Sequence, residues 1–246
     1  MADQIFDHPR LAGIYDALDP DRSDLEPYLA MVEEFGARTV VDLGCGTGVL
    51  ALRLAERGVG VVGVDPSGGS LDVARAEPGA AGIAWIHGVA ADVPPRKADL
   101  VLMTGNAAQA VTDPQDWAEM LHAVHASLRP GGRFVFETRE PARRAWEDWT
   151  EAQTRSTTVI EGVGGVETWV ELTDVALPLV TFRWTFVFQS DGQTLTSDST
   201  LRFRASAEVR ADLAAHGFEL DDVRDAPDRP GRELVFVARA TGRAAS

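Results

Sequence analysis

From residue 39 to residue 140 the chain alternates short apolar runs with segments whose apolar residues recur every three to four positions. Short apolar runs are typical of buried strands, and the 3.6-residue period is typical of amphipathic helices. Five strands are predicted, over 39–44, 60–65, 83–88, 99–104 and 133–138. Helices are predicted between them, over 48–57, roughly 67–76 and 115–128. This alternation predicts a parallel sheet with right-handed crossovers and helices on both faces.

After residue 154 the hydrophobic period shortens to two. In "LVTFRWTFVF" every second residue is apolar, which predicts a strand with one aromatic face formed by Val180, Phe182, Trp184, Phe186 and Phe188. Asp191-Gly192 predicts a two-residue hairpin that joins this strand to 194–204. Gly164-Gly165 predicts another hairpin, between 156–162 and 166–174. We therefore expect a four-stranded antiparallel insertion over 155–204.

Helical patterns flank the sheet on both sides. Pro9 is expected to open a short helix whose apolar face comprises Leu11, Ile14, Tyr15 and Leu18. Ser23 and Glu26 match a capping box that would open a second helix, which Gly36 would end. After the insertion, a helix at about 206–216 and strands over 218–223 and 232–240 return the chain to the main sheet.

Together these elements predict an α/β protein with a Rossmann-like, seven-stranded sheet, mostly parallel with one antiparallel strand, plus an antiparallel β insertion. Four segments are expected: a helical cap (1–38), the Rossmann-like domain (39–140 and 205–240), a helix with the β insertion (141–204) and a tail (241–246).

Composition narrows the class of partner. The chain has 246 residues, 45% of them apolar, a net charge of −15 and one cysteine. So acidic a chain is repelled by nucleic-acid phosphates and by anionic membranes, and we expect neither as a partner. No signal peptide or apolar run long enough for a membrane span is visible, which favours a cytoplasmic protein. No metal site is expected, because His122 and His125 have no acidic or thiol partner nearby.

The stretch "VVDLGCGTG" places a glycine-rich turn between a strand and a helix, where backbone N–H groups point at a ligand. A phosphate loop of the Walker type would end in Gly-Lys-Ser/Thr, and this stretch has no lysine. The dinucleotide fingerprint G-x-G-x-x-G is weakened, because Val49 stands where its third glycine would be.

The same stretch resembles the first motif of class I S-adenosylmethionine-dependent methyltransferases. "VVGVDPS", "HGVAADVP", "DLVLMTGNAAQAV" and "LRPGGRFVFET" resemble further segments of that family and follow in the family's order. The resemblance is continuous over 38–140 and extends in outline over 206–240. Within that family, the sequence is similar to the methyltransferases that act on small molecules and carry an antiparallel β insertion after the fifth strand.

The resemblance implies S-adenosylmethionine as cofactor and assigns contacts to it residue by residue. Asp65 would accept the ribose hydroxyls, and the Ala91 N–H and the Asp92 carboxylate would meet the adenine. The glycines would let the backbone pass close to the ligand. The residues implied in cofactor binding are Tyr15, Asp42, Gly44, Cys45, Gly46, Asp65, Pro66, Ala91, Asp92 and Thr104.

"TGNAA" lacks the Asn/Asp-Pro-Pro-aromatic signature that resembles amino-methylating nucleic-acid enzymes. Together with the acidic charge, this favours a small molecule or a peptide as acceptor, and we expect a small molecule with an N or O nucleophile. Tyr15, Asn106 and Glu137 are candidate catalytic residues. Asn106, Gln109, Arg139, Trp146 and Trp149 are candidate substrate-binding residues. Simpler interpretations stay open at this point: Asp42 and Asp65 as helix caps, and Tyr15 as core packing.

Two other functions are compatible with the sequence. One is a non-catalytic module that binds S-adenosylmethionine and engages a protein partner through the β insertion. The other is a nicotinamide-dependent oxidoreductase. The aromatic face of 180–188, with Trp146 and Trp149, has three interpretations: the wall of a substrate pocket, packing on the core, or the interface of a homodimer.

Overall fold

The structure is a computed structural model that describes residues 2–242. Within that range lie eleven strands: β1 (Thr39–Leu43), β2 (Gly60–Asp65), β3 (Ala84–His87), β4 (Ala98–Met103), β5 (Leu128–Arg139), β6 (Ser156–Ile160), β7 (Gly164–Ala176), β8 (Leu179–Phe188), β9 (Thr194–Arg202), β10 (Phe218–Asp225) and β11 (Glu233–Ala240). The α-helices of the same range are α1 (Gln4–Asp7), α2 (Pro9–Ala12), α3 (Tyr15–Leu18), α4 (Glu26–Glu34), α5 (Val49–Glu56), α6 (Gly68–Ala76), α7 (Pro114–Ser127), α8 (Glu151–Thr154) and α9 (Ser206–Ala215).

The main sheet has seven strands in the order β10-β11-β5-β4-β1-β2-β3. Strand β11 runs antiparallel to both of its neighbours, and the other pairs are parallel. The central strands read as continuous apolar runs because helices cover both faces: Val40, Leu100 and Leu102 are all at most 1% exposed. The predicted seven-stranded sheet with one antiparallel strand is confirmed.

The register of the parallel strands brings their carboxyl ends to one edge. Asp42 pairs with Gly63, Asp65 with His87, and Met103 with Phe136. Side chains and loops that follow β1, β2, β4 and β5 therefore lie together, at the edge where open α/β sheets bind ligands.

The insertion forms a separate antiparallel sheet in the order β6-β7-β8-β9. Its aromatic face is buried within this chain. Phe186 and Phe188 pack on the N-terminal helices, and Val180 and Phe182 pack on the segment that follows β5. The members of these two clusters include Ile5, Leu11, Ile14, Phe186 and Phe188 on one side, and Trp146, Trp149, Val180 and Phe203 on the other. Much of this face is thus core packing.

Both hairpin turns differ from their prediction. The β8–β9 loop spans residues 189–193 rather than two residues, with Gly192 at φ +71° and the Phe188 N–H donating to the Gln193 carbonyl. The Asp191 carboxylate accepts from the Gln193 N–H and holds the wider loop. The β6–β7 turn lies at 161–163, because Gly162 takes the left-handed conformation and Gly164 already belongs to β7.

The N-terminal region is also corrected. In place of one helix from Pro9, there are three four-residue helices, and α2 ends where Gly13 caps it. The capping box at Ser23 is wrong: residues 23–25 form a 3₁₀ turn, and α4 begins at Glu26 with Leu25 as its N-cap. Pro27 in the first turn of α4 favours this later start, because proline fits there without losing a hydrogen bond. Gly36, at φ +60°, ends the helix as predicted. Over residues 2–242 no helix is both long and apolar enough to cross a membrane.

Candidate functional site

The turn after β1 is shaped by three glycines with positive φ, at +74° (Gly44), +54° (Gly46) and +84° (Gly48). A Cβ on Gly44 would lie 3.1 Å from the Ala107 Cβ, whereas a Cβ on Gly46 would meet nothing within 4 Å. A Cβ on Gly48 would lie 2.6 Å from the Trp85 ring, so this glycine serves the packing of β3. The space beside Gly46 is the part of the turn that is open to a ligand.

Two carboxyl groups stand behind this turn. Asp65 joins the turns after β1 and β2: its Oδ2 accepts from the Gly46 N–H (2.8 Å) and its Oδ1 from the Ser67 N–H (2.8 Å). Asp42 is 1% exposed, and among the described residues its Oδ2 has no hydrogen-bond partner. Burial and the nearby Asp65 raise the pKa of Asp42 to about 7, although a hydrogen bond from the Ala51 N–H acts to lower it. Burial also raises the pKa of Asp65, and the hydrogen bonds from the Ser67 and Gly46 N–H groups partly offset that rise.

These observations fit a ligand such as S-adenosylmethionine. A buried carboxyl oxygen without a partner costs free energy, and hydroxyl or cationic donors of a ligand would relieve that cost. The open space at Gly46 lies next to the same carboxyls, because the Gly46 N–H donates to Asp65. The arrangement favours a ligand role for Asp42 and Asp65 over helix capping alone.

The N-terminal helices close onto both turns. The Thr47 hydroxyl donates to Asp16 (2.9 Å) on the turn after β1. The Phe6 carbonyl accepts from the hydroxyls of Ser67 (2.6 Å) and Ser70 (2.9 Å) after β2. Tyr15 packs against Phe6 with ring centroids 5.5 Å apart, and burial raises the pKa of the Tyr15 phenol. The cap therefore covers the edge of the sheet where the cofactor was predicted.

The segment predicted to meet adenine forms a 3₁₀ turn over Ala90–Asp92. Both Ala91 and Asp92 are exposed, and the Asp92 Oδ2 accepts from the Val89 N–H at 2.9 Å. A Cβ on Gly88 would overlap the Asp92 carboxylate, so Gly88 permits this turn. Asp92 thus caps its own turn with one oxygen, and its contact with adenine stays a prediction. Pro66 is exposed at the neighbouring turn, where its carbonyl lies 3.1 Å from the His87 Nε2.

A buried polar cluster lies at the carboxyl ends of β4 and β5. Asn106 has a positive φ of +59°, a conformation that asparagine tolerates better than most residues. Its backbone N–H donates to Glu137 Oε1 at 3.1 Å, and the Tyr28 hydroxyl donates to Glu137 Oε2. Burial raises the pKa of Glu137, and the hydrogen bonds from Tyr28 and Asn106 oppose that rise. Sequence reasoning missed Tyr28, which comes from α4 and carries no motif.

The cluster continues to β11. Glu233 Oε1 accepts from the Asn106 Nδ2 (3.0 Å) and from Arg229 (2.8 Å). Arg139 donates to the Gln109 Oε1 at 3.0 Å and lies 3.6 Å from Glu233. Burial lowers the pKa of Arg139, whereas the carboxylate of Glu233 raises it. Arg229 and Glu233 were also missed, since they lie more than 120 residues beyond Asn106 in the chain.

The remaining predicted residues differ in their access to the cluster. Trp149 stacks edge-on against Phe182 at 4.7 Å and lies 5.5 Å from the Arg139 guanidinium carbon. Trp146 is 2% exposed in an aromatic cluster with Phe203, and so offers a substrate little surface. The two tryptophans do not share a helix face, because the 3₁₀ helix Ala145–Asp148 ends before Trp149. Contact of Trp149 with a substrate stays a prediction.

The two remaining residues predicted to bind the cofactor, Thr104 and Cys45, lie beside the turns and show no sign of a chemical role. Thr104 is half-buried, and its carbonyl accepts from the Ala107 N–H at 3.3 Å. Burial and the carboxyls of Asp42 and Asp65 raise the pKa of the Cys45 thiol. The thiol is therefore protonated at neutral pH, which makes it a poor nucleophile.

Known proteins resemble this chain in both sequence and structure. Residues 40–132 match the family described as "Methyltransferase domain". An uncharacterized methyltransferase of Mycobacterium tuberculosis is 40% identical over 117 residues, which cover 45% of this chain and 44% of that protein. The chain thus matches about half the length of the curated relatives.

Two solved structures extend the likeness of the fold to nearly the whole chain. The CcbJ methyltransferase from Streptomyces caelestis has a TM-score of 0.75 at 24% identity, with 94% of this chain and 96% of that chain covered. The sugar N-methyltransferase KedS8 from Streptoalloteichus has a TM-score of 0.75 at 20% identity, with 92% of each chain covered. Residues 40–132 thus match a methyltransferase domain, and nearly the whole chain shares the fold of these two methyltransferases.

Proposed function

We propose that this protein transfers a methyl group from S-adenosylmethionine to a nitrogen or oxygen nucleophile of a small molecule. The observation that carries the proposal is the juxtaposition of two sites at one edge of the sheet. The glycine turn with Asp42 and Asp65 follows β1 and β2, and the buried cluster of Asn106 and Glu137 follows β4 and β5. Ala107, which follows Asn106, lies so close to Gly44 that a Cβ on Gly44 would be 3.1 Å from the Ala107 Cβ, and the two sites therefore adjoin.

The first of these sites would hold the cofactor. Asp65 would accept the ribose hydroxyls with the lone pairs that its two backbone donors leave free. Gly44 and Gly46 would give the ligand close access to the backbone. The Asp42 Oδ2 would accept a hydrogen bond from a donor of the ligand. Ala91 and Asp92 would meet the adenine, while Tyr15, Cys45, Pro66 and Thr104 would line the remainder of the site. The N-terminal helices would exclude water, which suits methyl transfer.

When bound, S-adenosylmethionine supplies a methyl group already activated by its sulfonium. The chain's own residues then have to orient the nucleophile and accept its proton. Glu137 suits the second task, because burial raises its pKa and brings its basicity closer to neutral pH. Tyr28 and the Asn106 N–H hold its two oxygens in place. Gln109, Arg139 and Trp149 would orient the acceptor.

Three considerations support a small acceptor. The net charge of −15 disfavours nucleic acid. KedS8, of similar fold, is described as a sugar N-methyltransferase. The insertion and the cap leave the polar cluster enclosed rather than on an open face, since Asn106 is 3% and Glu137 6% exposed. An enclosed cluster suits a small ligand better than a large one.

Thermal unfolding tests the proposal. S-adenosylhomocysteine, S-adenosylmethionine, NADH and NADPH would each be added at about 100 times a plausible Kd, where a ligand contributes ~2.7 kcal/mol. We expect both adenosyl compounds to raise the Tm by roughly 5–10 °C and the nicotinamide nucleotides to have no effect. A rise with NADH or NADPH alone would refute the cofactor assignment. Mass spectrometry of candidate acceptors after incubation with S-adenosylmethionine would then separate an enzyme from a non-catalytic binding module.

A further inference from the structure

The side-chain amide of Asn106 is held in one orientation. Its Nδ2 donates to Glu233 Oε1 at 3.0 Å. A carboxylate only accepts hydrogen bonds, so the NH₂ side of the amide must face Glu233 and the oxygen must face away. The backbone of the same residue is also fixed, because its N–H donates to Glu137 Oε1 at 3.1 Å.

The Asn106 Oδ1 is left without a hydrogen-bond partner among the described residues, although the residue is only 3% exposed. Buried acceptors in proteins are nearly always satisfied, so an orphaned one that is rigidly held points to a missing donor. Asn106 adjoins Ala107, whose Cβ touches the position of a Cβ on Gly44. The orphaned oxygen therefore belongs to the strand end that borders the glycine turn.

The cluster around Asn106 holds two carboxyls, Glu137 and Glu233, and two guanidinium groups, Arg139 and Arg229. Glu137 is a buried carboxyl whose hydrogen-bond partners, the Tyr28 hydroxyl and the Asn106 N–H, are neutral groups. Tyr28, Arg229 and the Asn106 amide each donate to a carboxylate. Arg139 donates to the Gln109 Oε1 and lies 3.6 Å from Glu233. These donors leave the Asn106 Oδ1 without a partner within residues 2–242. An amine can donate to it and keep a further N–H for Glu137, whereas a hydroxyl brings one donor.

We propose that the methyl acceptor is an amine and that Asn106 Oδ1 accepts a hydrogen bond from its nucleophilic nitrogen. This deepens the proposed function and rests on it. Asn106 is then the residue that aims the nitrogen, while Glu137 lies beside it to receive a proton. Because Oδ1 is covered in this structure, some of the atoms around it must move as the acceptor enters.

The test is a comparison of two cofactor analogues by isothermal titration calorimetry. S-adenosylhomocysteine lacks the methyl group, and sinefungin carries an amino group in its place. The proposal requires hydrogen-bond acceptors of the protein, Asn106 Oδ1 among them, to surround the position of the methyl group. The wild-type protein should therefore bind sinefungin about tenfold more tightly than S-adenosylhomocysteine, as expected for a hydrogen bond to a charged group. Equal or weaker binding of sinefungin would overturn the proposal.

Variants assign the effect to Asn106. Asn106→Gly keeps the positive φ and the backbone N–H, and should bring the ratio of the two affinities to about one with the affinity for S-adenosylhomocysteine unchanged. Arg96→Gly is the matched control: Arg96 is exposed, has a φ of +52°, and precedes the opposite end of β4. It should keep the wild-type ratio. An unchanged ratio in Asn106→Gly would overturn the role of Asn106.

A second variant covers the case in which Asn106→Gly fails to fold. Asn106→Asp keeps the side-chain shape, and a proton shared with Glu233 would replace the hydrogen bond that the Asn106 Nδ2 donates at 3.0 Å. The other carboxyl oxygen still accepts hydrogen bonds, so this variant should prefer sinefungin at least as strongly as the wild-type protein does. A fall would contradict the proposal. Failure of both analogues to bind the wild-type protein would refute the cofactor assignment itself, and the inference with it.

Discussion

Substitution of Gly46 by alanine should separate folding from ligand binding. Gly46 has a φ of +54°, and a Cβ there would meet nothing within 4 Å. The variant should therefore fold, with only the cost of an alanine in the left-handed region, roughly 1–2 kcal/mol. A smaller entropy of the unfolded chain offsets about 0.4–1 kcal/mol of that cost. The net loss of about 1 kcal/mol corresponds to a fall in Tm of roughly 2–4 °C for a chain of this size.

The matched control is Gly36→Ala. Gly36 has nearly the same φ, +60°, and equally open surroundings, but it ends α4 away from the glycine turn. Without ligand the two variants should lose the same stability. In excess S-adenosylhomocysteine, the wild-type protein and Gly36→Ala should both gain roughly 5–10 °C in Tm. Gly46→Ala should gain little, because its new methyl group occupies the space that the ligand needs.

Differential scanning calorimetry with and without S-adenosylhomocysteine measures both effects. A full ligand-induced rise in Gly46→Ala would show that the ligand does not pass over this turn, and the cofactor site derived from the geometry would be wrong. A much larger loss of Tm in Gly46→Ala than in Gly36→Ala, both without ligand, would show that the space beside Gly46 is not open.

Three further outcomes are expected. Asp65→Ala should weaken the binding of S-adenosylhomocysteine by ~1.5–3 kcal/mol, measured by titration calorimetry, because a charged acceptor of hydrogen bonds is removed; an unchanged affinity would contradict the ribose assignment. Tyr28→Phe should lower the free energy of unfolding by about 1–3 kcal/mol in urea titrations, since Glu137 Oε2 loses its donor in a buried site; a neutral result would contradict the bond. The pKa of Asp42 is raised from 3.8 to about 7, so its protonated form stabilises the fold at low pH and that stabilisation is lost as the pH rises from about 4 through 7. Asp42→Asn should flatten this part of the stability profile of the ligand-free protein, and an unaltered profile would show that Asp42 is not its source.

Local patterns in the sequence predicted most of the fold. The apolar runs and the 3.6-residue period placed β1 to β5 and helices α5 to α7 within a residue or two, apart from the longer β5, because burial between two helix layers imposes a pattern that is visible in a short window. The turns were less predictable. Gly162 and Gly164 both take positive φ in the chain, and only the pairing of β6 with β7 selects the turn at 161–163.

The candidate site was also only partly predictable from the sequence. The glycine turn, Asp42 and Asp65 follow strands that lie close in the chain, and a motif identified them. Tyr28, Asn106, Glu137 and Glu233 are joined by hydrogen bonds between residues as many as 127 positions apart, and no motif joins them. Asn106 was singled out by its position after the fourth strand and Glu137 as a candidate catalytic residue, but their partners were not identified.

The sequence by itself determined the order of strands and helices and the chemistry of the turn after β1. It also indicated the class of cofactor, through the resemblance of that turn to a known motif. These follow from hydrophobic period and from short motifs, which depend on neighbouring residues. Only the tertiary structure decided that the aromatic face of β8 packs on the N-terminal helices, and that the carboxyls of Glu137 and Glu233 meet Asn106. Such contacts depend on how distant segments pack, because desolvation and hydrogen bonding act between neighbours in space rather than in sequence.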